Sequence, residues 1–209
     1  MPVSDPTPLI VSPVIPVVTV EKARDAISIA NALLAGGLRV IEIALRTPAA
    51  LDAIRAIVNE VPDVIVGAGT LLKPLDVTRA VDVGADFLVT PGTPHGLAQA
   101  LADAPVPVLP GCATVSEAMG LAAMGFPVLK FFPAEQSGGA RWLKSVSEPL
   151  PHIRFCPTGG INGDNAAAYL ALPNVIAVGG SWIASAQAIA AGDFTGITAR
   201  AAAALLLRR

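Results

Sequence analysis

Cysteine, histidine, aromatic side chains and charge are all scarce in this chain. Its 209 residues include two cysteines, Cys112 and Cys156, far apart and in no C-x-x-C spacing. That excludes a disulfide framework and a zinc knuckle, and it fits reduced thiols in a cytoplasmic protein. The two histidines, His95 and His152, stand alone and read as surface or loop residues. No H-E-x-x-H and no His/Cys/carboxylate cluster has metal spacing, so no metal is expected. There is no G-x-x-x-x-G-K-[ST] loop and no G-x-S-x-G elbow. "GAGTLL" supplies two of the three glycines of a dinucleotide fingerprint, and no cofactor is expected. Charged residues make up 14% with a formal net charge of -2. Without a basic run, no nucleic-acid partner is expected, and Arg208 and Arg209 read as a solvated tail. The opening "MPVSDPTP" has neither a basic nor an apolar leader region, so no signal peptide is expected. The uncharged stretch Val175–Gly192 approaches spanning length, but "GGSWIASAQ" breaks it with polar residues and glycine. No membrane partner is expected.

What is abundant is aliphatic: 53% of residues are hydrophobic. Short β-rich runs alternate with Ala-rich helical patterns. Strands are predicted at Ser12–Val18, Leu38–Leu45, Val64–Gly67, Phe87–Thr90, Val106–Leu109, Val128–Phe131, Ile153–Cys156 and Val175–Val178. Helices are predicted at Glu21–Ala35, Pro48–Val58, Pro74–Val83, Pro94–Ala102, Val115–Ala123, Ala140–Ser147 and Asn165–Ala171, with one starting near Trp182 and a last one at Ala199–Leu207. Such alternation implies parallel strands, and near-continuous apolar runs imply a sheet buried on both faces. The fold class expected is α/β, a (βα)8 TIM barrel forming a single domain over residues 1–209. A doubly wound open sheet is the alternative.

Barrel enzymes carry their chemistry at the carboxyl ends of the strands. The unusual residues here fall there in turn: "IEIALRT", "GAGT", "TPGT", "LPGCAT", "FFPAE", "PTGGI" and "GGSW". Alternate side chains of a strand face opposite sides. Val40, Glu42, Ala44 and Arg46 therefore share one face, as do Val128, Lys130 and Phe132. One pocket could hold Glu42, Arg46, Lys130 and Phe132.

Of the four lysines, only Lys130 is embedded in an apolar strand. Desolvation disfavours the ammonium, and a neutral amine attacks a ketone to form a Schiff base that accepts electrons from a breaking C–C bond. The other reading is a lysine simply paired with Glu42. Glu42 is either a general acid/base or only that charge partner. Arg46 offers a planar fork to a carboxylate, or a salt bridge at the rim. Gly159, Gly160, Gly180 and Ser181 lie in the loops after the seventh and eighth strands, where barrels frequently bind phosphate. The same glycines also suit plain tight turns. Cys156 reads as a buried structural thiol.

"IEIALRTPAAL", "VGAGTLL", "TPGT", "LPGCATVSEA", "LKFFPAE", "CPTGGI" and "VGGSW" together resemble the bacterial 2-dehydro-3-deoxy-6-phosphogluconate (KDPG) aldolases, a family that overlaps with the 4-hydroxy-2-oxoglutarate (KHG) aldolases. The likeness runs in order from the first strand to about Trp182. It implies a (βα)8 barrel, a metal-independent class I aldolase and a homotrimer. It implies that Lys130 forms the Schiff base with pyruvate, and that Glu42 moves protons through a water. Arg46 and Thr70 would hold the pyruvyl carboxylate, Phe132 would pack on the imine, and Pro91 would line the pocket. Thr158, Gly159, Gly160 and Ser181 match the family's distal hydroxyl and phosphate site. "TPGT" and "GCAT" depart mildly from the family pattern, and the chain after Trp182 carries little signature.

The function expected is cleavage of KDPG to pyruvate and glyceraldehyde 3-phosphate, a step of the Entner–Doudoroff route, with possible 4-hydroxy-2-oxoglutarate side activity. Thr158 is polar where the related 6-phosphogalactonate aldolases tend to be apolar, which favours the gluconate epimer. A non-catalytic barrel binding a phosphorylated sugar acid is the competing class.

Overall fold

The computed structural model describes residues 11–208. The opening "MPVSDPTP", expected to be no signal peptide, and Arg209, expected in a solvated tail, lie outside the described residues. Strand and helix alternate along the chain: β1 (Val14–Val18), α1 (Ala23–Ala35), β2 (Val40–Ala44), α2 (Ala50–Glu60), β3 (Ile65–Gly69), α3 (Pro74–Asp82), β4 (Phe87–Val89), α4 (His95–Ala102), β5 (Val108–Leu109), β6 (Gly111–Cys112), α5 (Val115–Ala123), β7 (Val128–Phe131), α6 (Gly139–Val146), β8 (Arg154–Pro157), α7 (Ala166–Leu170), β9 (Val178–Gly180), α8 (Ala186–Ala190) and α9 (Phe194–Leu205). The strands form a six-stranded sheet in the order β5-β4-β3-β2-β1-β9 and a three-stranded sheet in the order β6-β7-β8. Every strand pairing recorded among the described residues is parallel.

The two faces of the sheet bury different residues. Val40, Phe87, Val89, Leu109, Val128 and Cys156 belong to one cluster. Ile41, Ile43, Leu129, Phe131 and Phe155 belong to the larger cluster shared with the helices. This is the alternation predicted for β2 and β7, with helices covering the Ile41 and Leu129 side. Helix α1 shows the matching pattern: Ala26, Ile29, Ala30 and Leu33 are its buried stripe at helical spacing. A capping box fixes the start of α5, where Thr114 Oγ1 accepts from Glu117 N–H at 3.2 Å and Glu117 Oε2 accepts from Thr114 N–H at 2.9 Å.

Four elements differ clearly from expectation. The fifth expected strand, Val106–Leu109, is formed only over Val108–Leu109, and an unexpected short strand, Gly111–Cys112, follows Pro110, which has no N–H to give to a ladder. Buried Thr90 compensates: its hydroxyl accepts from Gly111 N–H at 2.9 Å and lies 2.8 Å from Thr93 Oγ1, which donates to Gly111 O at 2.9 Å. The eighth predicted strand begins later, at Val178, while Val175 makes only an isolated parallel bridge to Phe155. No helix starts at Trp182. The chain turns there, and α8 begins after Ser185, whose hydroxyl caps Ala188 N–H at 3.2 Å. The last helix starts earlier than Ala199, because Asp193 caps it by accepting from Gly196 N–H at 2.8 Å.

Candidate active site

Lys130 comes from β7 and Glu42 from β2, two strands in different sheets. Their side chains meet in the interior, with Lys130 Nζ 3.3 Å from Glu42 Oε1. Lys130 is 5% exposed and Glu42 is 2% exposed. A buried ion pair is about neutral for stability, and apolar replacements are often more stable by roughly 1–4 kcal/mol. Stability alone is therefore a poor reason for this pair. Two features hold it in place. Gly69 of β3 has no Cβ, which would fall 2.0 Å from Glu42 Oε1. On β7, Lys130 N–H donates to Pro110 O at 2.9 Å, at the break in the fifth strand.

Two residues on from Lys130, just past the end of β7, the Phe132 ring lies with its centroid 5.4 Å from Nζ. Phe132 lines a cavity of about 300 Å³ together with Arg46, Thr158, Gly159, Gly160, Gly180 and Ser181. Arg46 is exposed and forms no ion pair among the described residues. Its guanidinium is thus available to an anion. Gly159 and Gly160 take φ of +102° and +76°, a left-handed conformation that glycine adopts without a Cβ penalty. The loop consequently turns its backbone toward the cavity with no side chain in the way.

Of the expected site residues, Lys130, Glu42, Thr70 and Pro91 do not line this cavity; Phe132, beside Lys130 Nζ, joins the ion pair to it. Thr70 follows directly on Gly69 and carries a positive φ of +62°, unusual for a β-branched residue. Pro91 sits beside the Pro110 break, its carbonyl carbon 2.4 Å from where a Cβ on Gly111 would be. Conversely, Val17, Thr19, Ile161 and Ser185 line the cavity and were not foreseen. Alternation along "VVTV" places Val17 and Thr19 on one face and was the available signal; Val17 pairs with Glu42 in register. A larger cavity of about 680 Å³ lies elsewhere, between α4 and α5, lined by Thr93, His95 and Glu117. Neither cavity is lined by Lys130 or Glu42, but only the smaller one is lined by Phe132, the ring beside Lys130 Nζ.

Cys156 lies opposite Lys130 in the β7–β8 register. Burial pushes its thiol up to about 12, with Lys130 opposing and Glu42 adding to the shift. Cys112 is also pushed up to about 12, by burial and then by the charge of Glu117. Both thiols are therefore protonated and unreactive near neutrality, as read from the sequence for Cys156. Among the described residues no group of three or more His, Cys, Asp or Glu side chains is arranged to hold a metal ion.

A family model described as KDPG and KHG aldolase matches residues 8–200. The chain belongs to that aldolase family. The KHG/KDPG aldolase of Escherichia coli (strain K12) is 47% identical over 190 residues, 91% of this chain and 89% of that one. The solved KDPG aldolase of Legionella pneumophila, with pyruvate captured at low pH as a covalent carbinolamine intermediate, superposes with a TM-score of 0.94 at 42% identity, covering 97% of this chain and 98% of that one. The Zymomonas mobilis ZM4 aldolase, solved with 3-phosphoglycerate, gives a TM-score of 0.90 at 41% identity, covering 97% and 96%. Against this aldolase family, the Lys130–Glu42 pair and the glycine-lined cavity beside it gain a common chemical rationale.

Proposed function

We propose that this chain is a class I, metal-independent aldolase. It cleaves 2-dehydro-3-deoxy-6-phospho-D-gluconate to pyruvate and D-glyceraldehyde 3-phosphate, with 4-hydroxy-2-oxoglutarate cleavage as a side activity. The observation that carries the reading is the buried Lys130–Glu42 pair, 3.3 Å apart, beside a cavity that also holds Arg46 and the Gly159–Gly160 loop.

In this reading a neutral Lys130 amine attacks the substrate's C2 ketone, and loss of water from the carbinolamine leaves a protonated imine. The C4 hydroxyl gives up its proton, the C3–C4 bond breaks, and its electron pair flows to the imine nitrogen. The aldehyde departs and an enamine remains. Protonation at C3 and hydrolysis release pyruvate and restore the amine. Glu42 is the proton carrier, through a water. Its contact with Nζ also lets it take the ammonium proton, so ion pair and nucleophile become two states of one arrangement.

Arg46 and Thr70 hold the pyruvyl carboxylate, Phe132 packs on the imine and Pro91 closes the pocket wall. Thr158 meets a distal hydroxyl. Gly159, Gly160, Gly180 and Ser181 bind the phosphate through backbone N–H groups and one hydroxyl. The Zymomonas structure with 3-phosphoglycerate supports a phosphorylated three-carbon fragment as a ligand of this class.

We also propose that the two sheets are parts of one closed (βα)8 barrel forming a single domain. The chain passes directly from β5 to β6 across Pro110, and bridges Phe155↔Val175 and Thr158↔Gly179 link the far edges. Family resemblance further supports a cytoplasmic homotrimer.

Borohydride reduction in the presence of pyruvate, followed by peptide mass spectrometry, tests the central claim. A reduced pyruvyl adduct on the peptide containing Lys130, absent from a folded Lys130→Arg protein, is expected. No adduct on the folded wild-type protein moves the assignment to a non-catalytic sugar-acid-binding barrel.

A further inference from the structure

Tyr169 of α7 is buried, and its hydroxyl donates to Glu135 Oε1. The bond spans 34 residues of sequence, joining the helix after the Thr158–Gly160 loop to the segment that follows Lys130 and Phe132. Glu135 reaches Tyr169 by passing along that loop: a Cβ on Gly160 would lie 2.6 Å from Glu135 Cγ. The two main chains are zipped alongside, with Ala134 N–H donating to Thr158 O at 2.8 Å and Glu135 N–H to Gly159 O at 3.1 Å. On the other side, Asn165 Nδ2 donates to Gly160 O at 3.1 Å.

Two consecutive left-handed glycines have little torsional preference of their own. The shape of this loop is therefore set by its ties. Burial, and secondarily the hydrogen bond to Glu135, raises the Tyr169 phenol above its ordinary range, so it remains a protonated donor across the physiological range. Released from Tyr169, an exposed carboxylate at the edge of an anion subsite is free to approach the phosphate, where like charges repel.

We propose that the Tyr169–Glu135 hydrogen bond is a strut that sets the Gly159–Gly160 backbone at the spacing a substrate phosphate requires. Both are positioning residues for the phosphate end of the substrate, not for the imine. The inference rests on the aldolase reading above.

Tyr169→Phe removes one hydroxyl and keeps the ring. Steady-state cleavage of 2-dehydro-3-deoxy-6-phosphogluconate and solvent exchange of the pyruvate methyl protons, a half-reaction with no phosphate, are measured side by side. A rise in KM of about tenfold on the phosphorylated substrate is expected, the loss from one hydrogen bond, with kcat and pyruvate exchange unchanged. Glu135→Ala frees the loop without leaving a carboxylate beside the phosphate, so a smaller rise in KM than in Tyr169→Phe is expected, with thermal unfolding checking that the protein stays folded. Glu135→Gln retains an acceptor for Tyr169 and is expected to stay near wild type. An unchanged KM in both Tyr169→Phe and Glu135→Ala, or equal losses on cleavage and exchange, overturns the strut. A wild-type protein that exchanges no pyruvate protons overturns the aldolase reading itself, and the strut with it.

Discussion

Glu42 occupies the space that a side chain at Gly69 would need: a Cβ there falls 2.0 Å from Oε1 and 2.6 Å from the carboxyl carbon. A small residue on β3 thereby determines where the carboxylate on β2 meets the amine on β7. Gly69 does not sit in the left-handed region, so alanine is torsionally allowed and its effect is steric. Gly69→Ala is expected to cost about 1–3 kcal/mol through overpacking. By shifting Glu42 off Lys130 it should lower aldol cleavage on the order of 100-fold. Thermal unfolding and kcat measured together check this. Full activity with a lowered Tm would mean that the placement of Glu42 does not matter for catalysis.

Glu42→Gln keeps a carbonyl acceptor near Nζ but carries no titrating proton. Borohydride-trappable pyruvate adduct is expected to persist. Exchange of the pyruvate methyl protons should slow by about 10²- to 10⁴-fold, the usual contribution of a general acid/base. Proton NMR in deuterated water reads the exchange directly. Exchange at the wild-type rate would remove Glu42 from proton transfer and leave it a charge partner of Lys130.

Ser181 lines the same cavity as Gly159, Gly160 and Arg46. If its hydroxyl contacts phosphate, Ser181→Ala should raise KM for 2-dehydro-3-deoxy-6-phosphogluconate roughly 5- to 50-fold, as expected for a hydrogen bond to a charged group. Cleavage of 4-hydroxy-2-oxoglutarate should be untouched. Comparable losses on both substrates would place the hydroxyl's role elsewhere than the phosphate.

The two buried thiols make stability depend on alkaline pH. Each is pushed up to about 12 in the folded protein, whereas an unfolded thiol ionises near 8.5–9 or so. Between those limits the unfolded chain has released protons that the folded chain retains. Stability is therefore full below the unfolded value and falls as pH rises through the window. The urea midpoint is expected to be lower at about pH 10.5 than at about pH 8. A Cys112→Ala/Cys156→Ala protein should show a weaker pH dependence. An identical slope in the double variant would assign the effect to other groups.

The meeting of Glu42 and Lys130 in the interior was readable to the extent that it depends on strand parity. Glu42 on β2 and Lys130 on β7 follow strand alternation, but Arg46 and Phe132 stand in turns just past the ends of those strands, where alternation alone does not place a side chain. The positions of Gly159, Gly160 and Ser181 followed from the order of loops along the chain, whereas Gly180, expected in a loop, is the last residue of β9. The break at Pro110 could have been foreseen from proline's missing N–H, but its repair by Thr90 and Thr93 could not. That repair depends on hydroxyls from the loop that follows the neighbouring strand β4. The late start of α8 and early start of α9 turned on the caps Ser185 and Asp193, weak signals within an alanine-rich run.

By itself the sequence determined the alternation of strand and helix, that the strands are parallel, and which side chains within a strand share a face. These are local consequences of periodicity and of residues such as proline and glycine. Only the tertiary structure decided which faces meet. The 3.3 Å contact of Lys130 with Glu42, the fit of Glu42 against Gly69, and the bond from Tyr169 to Glu135 join residues 88, 27 and 34 positions apart. The chain's local preferences are blind to such distances, and the packing of strands at a particular register sets them.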